Sequence, residues 1–92
     1  MKNADVIQRF IYQDSGYKGS NLYSSGSKLI NYNTIIAQWF DDVLLINVTK
    51  YSCTTSTHQN RLLYHAERKN IRYYTVDDIP MSTKDLTYLY KD

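Results

Sequence analysis

The sequence predicts a small α+β domain: a small antiparallel β-sheet with a central hairpin, packed against a basic amphipathic helix and flanked by short terminal helices. Two observations predict it. Residues 30–40 and 43–49 are β-favouring runs separated only by Asp41-Asp42, and residues 57–69 are two-sided at helical spacing. The 92 residues suffice for one modest core and no second, so residues 1–92 read as a single domain.

The elements follow in chain order. Val6, Ile7, Phe10 and Ile11 recur at helical spacing over residues 5–12, with Asn3 placed as the cap. Gly16, Gly19 and Gly26, with serines between them, break any helix over residues 15–26 and leave Leu22 and Tyr23 at most a short strand. That region is expected to be the most flexible. Residues 30–40 and 43–49 then read as an antiparallel hairpin, although Asp-Asp is a weaker turn signal than Asp-Gly. Alternation puts Val43, Leu45, Asn47 and Thr49 on one face, and Leu44, Ile46, Val48 and Lys50 on the other.

Thr55, Ser56 or Thr57 is placed to cap the helix that runs to about Lys69. Its wheel gathers Leu62, Leu63 and Ala66, with Gln59, on one side, and His58, Arg61, His65 and Arg68 on the other. The apolar side is expected to pack on the hairpin, where Trp39 is an anchor, leaving a basic stripe outside. Residues 71–76 read as a further strand and residues 77–80 as a turn formed by Asp77 and Asp78. Ser82 is placed to cap a terminal helix carrying Leu86, Leu89 and Tyr90.

Composition narrows the function classes. Apolar residues make up 42% of the chain, but ten are Tyr, so much of that surface carries a hydroxyl that needs a partner or water. The net charge of +2 is uneven. Lys50, Arg61, Arg68, Lys69 and Arg72 face only Glu67 over residues 50–74, a local +4, whereas the segment from Asp77 onward is −2. A basic patch beside an acidic tail suits a polyanionic partner, and equally a solvated helix face. A lone Cys53 and the lack of a charged-then-apolar leader favour a reducing cytoplasm, and no apolar run reaches the roughly 20 residues that cross a bilayer.

The densest chemistry lies in residues 51–61, Tyr-Ser-Cys-Thr-Thr-Ser-Thr-His-Gln-Asn-Arg. A helix starting there directs backbone N–H groups, hydroxyls and cations toward one spot, which suits an anion. The candidate binding residues are Tyr51, Ser52, Thr54, Thr55, Ser56, His58, Gln59, Arg61, His65 and Arg68. The competing reading of Thr54, Thr55 and Ser56 is an N-cap and its approach. Cys53 and His58 offer a thiol and base, with Tyr51, Ser52 and Arg61 to assist. No acid stands nearby to orient the imidazole, so a buried Cys and a His that caps or solvates the first turn are the expectation, and no catalysis. His58 and His65 lie seven residues apart, about 10 Å along a helix, too far to share a metal ion; no cofactor is expected.

Residues 29–62 resemble a family of small phage and mobile-element proteins with no assigned function. The shared pattern is a Leu-x-x-Tyr-x-Thr strand, a short turn, a second strand ending near Asn, and then Tyr-Ser-x-Thr-Thr-Ser-x-His-Gln. Here it falls on Leu29, Tyr32, Thr34, Asn47, Tyr51, Ser52, Thr54, Thr55, Ser56, His58 and Gln59. Asp41-Asp42 departs from the Gly-containing turn that members often have. The resemblance implies a phage-like origin and a β-hairpin followed by a helix, and it supplies no activity. With that origin, the expected partner is a host protein or ribonucleoprotein complex in the bacterial cytoplasm, bound and blocked in the manner of an anti-CRISPR protein. Nucleic acid itself is the alternative partner; no membrane is expected.

Overall fold

The computed structural model of the chain describes residues 1–90; Lys91 and Asp92, part of the acidic tail in the sequence, lie outside the described residues. The element order is α1 (Asn3–Ile11), β1 (Leu22–Ser25), β2 (Lys28–Asn31), β3 (Thr34–Phe40), β4 (Val43–Asn47), α2 (Cys53–Arg68), β5 (Tyr73–Val76) and a single 3₁₀ turn (Thr87–Leu89). The strands form one sheet in the order β1-β2-β3-β4-β5. The first four make an antiparallel meander, while β5 runs parallel to β4 because α2 carries the chain across one face between them. This is the α+β fold the sequence predicts.

The β3/β4 hairpin closes at Asp41-Asp42, with Phe40 opposite Val43 and Asp41 at a φ of 53°, a value Asp tolerates better than most residues. The β-rich run expected over residues 30–40 is two strands, because the chain reverses at Tyr32-Asn33. Tyr32 takes a φ of 57° and its N–H donates to Asn21 O, so tertiary contact supplies the turn signal that Gly or Pro would otherwise give.

Alternation along β4 holds, and both faces are buried. Leu44 and Ile46 join Leu22, Leu29 and Ile36 under α1 and α2, which contribute Val6, Ile7, Phe10, Ile11, Leu62 and Ala66. Each of the Val, Leu, Ile and Phe side chains among them is worth about 1.5–3 kcal/mol of burial. Trp39 packs at this core's edge against α1, its indole N–H donating to Phe10 O at 2.8 Å. Val43 and Leu45 point the other way, into a second core with Ile35, Val76, Ile79 and Leu86.

The C-terminal segment that covers this second face is not the helix expected after Ser82. Gln38, buried in β3, donates to Asp85 Oδ1 at 3.1 Å and accepts from the Leu86 N–H at 2.8 Å. The Asp85 carboxylate also accepts from the hydroxyl and N–H of Thr87, which hold its pKa below the usual carboxylate range. These bonds fix the segment as an extended strap with one 3₁₀ turn. The chain bends at Asp78, which takes a φ of 56°, and the hydrogen-bonded turn expected over residues 77–80 comes later, where the Thr83 N–H donates to Pro80 O.

At the other end, α1 starts two residues earlier than its apolar spacing suggests. Asn3 lies inside the helix, not at its cap, and its side chain bonds Ser20 and Asn21. Gly19 passes so close to Asn3 that a Cβ there would collide with the Asn3 amide oxygen. The segment expected to be loosest is thus stitched to α1 and, through Gly16 and Tyr17, to Ser24 of β1. Among the described residues no helix is long and apolar enough to cross a membrane.

Candidate functional site

Helix α2 begins at Cys53, a full turn before the start its periodicity suggests, with Ser52 as N-cap. The Ser52 Oγ accepts from the Thr55 N–H at 3.2 Å and donates to Thr55 Oγ1 at 3.0 Å. Thr55 Oγ1 in turn donates to Asn31 Oδ1 in β2 at 2.7 Å, with Asn31 fully buried. The hydroxyl run that read as an anion cradle therefore satisfies itself and the sheet first. Thr55, a weak helix former, is held in the first turn by the Ser52 cap and by its bond to Asn31.

The next residues continue inward. His58 was expected on the outer stripe, but it is only 6% exposed, with Nε2 at 3.1 Å from Asn21 Oδ1. An amide oxygen accepts, so the ring proton sits on Nε2, and Nδ1 is buried without a partner among the described residues. Burial, and next the Arg61 charge, push the His58 pKa below its ordinary value. Gln59 donates to the carbonyls of Asn47 at 2.7 Å and Thr49 at 2.8 Å. Asn47 donates to Ile35 O and to the Tyr51 hydroxyl, which donates onward to Ile79 O. Tyr51, Ser52, Thr55, His58 and Gln59 thus form a polar seam that ties the start of α2 to Asn21 just before β1, to β2, to the end of β4 and to Ile79 after β5.

The remaining candidates face outward. Thr54 is exposed, and Ser56 borders a shallow concavity of about 450 Å³ shared with Lys50, Cys53 and Asn60. Arg61 and Arg68 are exposed and His65 is half-buried. Sequence reasoning missed Tyr64, which sits between them at spacings of three and four and is 55% exposed. The Arg68 guanidinium lies 5.4 Å from the Tyr64 ring centroid, and the His65 ring stands edge-on to the same tyrosine. Lys69 extends this face onto α1, donating to the Tyr12 hydroxyl at 2.6 Å and lying 4.8 Å from its ring centroid. Burial, then the Lys69, Arg61 and Arg68 charges, lower the His65 pKa. Among the described residues the one ion pair is Arg9–Asp14, so Arg61, Arg68 and Lys69 have no carboxylate partner there.

The structure separates the thiol and the base. Cys53 is exposed, not buried as expected, whereas His58 points into the fold with Nε2 taken by Asn21. Five residues apart on a helix, they are directed about 140° from each other. Among the described residues no three His, Cys, Asp or Glu side chains converge as a metal site requires.

Residues 3–78 match a family described as of unknown function (DUF8033). No curated protein and no solved structure matches the chain.

Proposed function

The chain belongs to that family of unknown function, and from this premise we propose that it is a non-catalytic binding protein whose outer α2 face captures and blocks a host nucleic-acid-targeting complex. In this reading it is a phage-like accessory protein acting in the bacterial cytoplasm, as the Tyr-Ser-x-Thr-Thr-Ser-x-His-Gln resemblance implies. The observation that carries the reading is the outward row Arg61, Tyr64, His65 and Arg68, continued by Lys69 and Tyr12. Interface centres favour Tyr and Arg, and a cation already held on its own ring loses little side-chain freedom on docking. Rings covered by their own cations are less available as platforms for bases.

Nucleic-acid binding is the second reading, favoured by the lack of carboxylate partners for Arg61, Arg68 and Lys69 among the described residues. Retention of lysate components on the tagged protein, with and without nuclease, separates the two. A nuclease-resistant protein identified as part of a nucleic-acid-targeting complex supports inhibition. Recovery of nucleic acid alone, or of proteins lost on nuclease treatment, supports the second reading and overturns the first.

A further inference from the structure

We infer that a recess on the sheet face opposite α2 binds the phosphate group of a small phosphomonoester, held between Lys28 of β2 and Lys84 of the C-terminal strap. The site is separate from the α2 face and does not depend on the function read there.

Strand register builds its floor. Tyr23 stands across from Ile30, and Ile30 across from Ile35, so the three share one face of β1, β2 and β3. Lys28, two residues before Ile30, lies on that face as well. Leu22, Leu29 and Ile36 take the other side, under α1 and α2. The strap covers Ile35, Val43, Leu45 and Val76, but it leaves Tyr23, Lys28 and Ile30 only half-buried. What remains is a concavity of about 160 Å³, bordered by Thr83 and Lys84 of the strap and by Asn33 at the β2/β3 turn.

The polar groups around this recess are not committed to the fold. Among the described residues Lys84 pairs with no carboxylate, and the side chains of Tyr23, Asn33 and Thr83 make no hydrogen bond. Lys28 acts on the Asp85 charge, but Gln38 and Thr87 already bind that carboxylate, and no ion pair forms. In the seam under α2, by contrast, the fold takes the donors of Thr55 and Gln59.

Two ammoniums, an amide and two hydroxyls make a donor set for an anion with several acceptor oxygens. Charge and size name its class. A phosphomonoester carries about −1.5 to −2 at pH 7, which two lysines match, whereas a diester or a simple carboxylate carries a single charge. The volume falls below the roughly 300–1,000 Å³ of a pocket for a drug-sized ligand, so the recess takes the phosphate and a short carbon stem laid on Ile30 and Ile35.

Glycerol phosphate titrated into the full chain at about pH 7.5 and constant ionic strength, followed by amide NMR, tests this. The expected result is saturable binding with a Kd of about 1 mM, its shifts centred on Tyr23, Lys28, Asn33, Thr83 and Lys84. Lys28→Gln and Lys84→Gln are each expected to weaken it about fivefold or more, and Lys2→Gln, which removes the same charge from an exposed site, to leave it unchanged. Lys84 is exposed on the strap, so its variant keeps the test decisive if Lys28→Gln disturbs β2. Dimethyl phosphate and acetate are expected to bind at least about fivefold more weakly. Shifts that stay linear up to about 30 mM overturn the proposal. So does full-strength binding by either folded lysine variant, or equal binding of acetate or dimethyl phosphate.

Discussion

Gln59, in the second turn of α2, donates both protons of its amide to the last turn of chain leaving β4, reaching the carbonyls of Asn47 and Thr49 at 2.7 and 2.8 Å. That bracket fixes how the crossover leaves the sheet. Gln59→Leu keeps the volume and strands the buried Asn47 carbonyl and the half-buried Thr49 carbonyl, so an unfolding free energy lower by about 1–3 kcal/mol is expected in urea titration. A loss below about 0.5 kcal/mol shows that water replaces the amide at no cost.

A second prediction concerns Thr55 and Asn31. Thr55→Val preserves shape and removes the donor to a fully buried Asn31 Oδ1, with an expected loss of about 1–3 kcal/mol. A double-mutant cycle with Asn31→Leu is expected to show favourable coupling between the two side chains, because removing both leaves nothing unsatisfied at that contact. Additive losses contradict the bond's role.

Much of this was legible in the chain. The β3/β4 hairpin was readable because Ile36, Leu44 and Ile46 alternate around a local turn, and the two-sided α2 because Leu62 and Ala66 recur on one stripe. The inward half of the Tyr51-to-Gln59 motif was not, because Tyr51, Thr55 and His58 carry polar groups that read as solvent-facing until their partners are known. Those partners, Asn21, Asn31 and Asn47, sit in other elements, and no local period reveals them. The strap was missed for the same reason: Gln38, 47 residues from Asp85, overrides the helical spacing of Leu86 and Leu89.

Stability is expected to fall on the acid side. His58 has its pKa lowered in the fold, by burial first and by Arg61 second, from an ordinary 6.5 in the unfolded chain. The unfolded state therefore binds the proton first. Stability is complete above the unfolded value, declines as pH falls from there toward the depressed folded value, and levels off below it as far as His58 is concerned. His65 is shifted in the same direction and adds to the slope. Urea midpoints from pH 8 to 5 are expected to show this fall, and His58→Gln to flatten it. An unchanged slope in that variant contradicts the assignment.

Cys53 is exposed at the start of α2 and away from His58. Native protein is expected to react with an aromatic disulfide reagent without prior unfolding, and Cys53→Ser to change stability by less than about 0.5 kcal/mol. Reaction only after denaturation contradicts this placement.

The division of the motif into an inner pin and an outer binding face is tested most directly by comparing two variants in one capture assay. Nuclease-treated lysate is passed over wild type, Thr55→Val and Arg61→Glu/Arg68→Glu, with unfolding measured on each protein. The expected result is that Thr55→Val loses stability yet captures the same partner while folded, and that the charge-reversed variant keeps its stability and loses the partner. Equal capture by the folded charge-reversed variant contradicts the proposed surface.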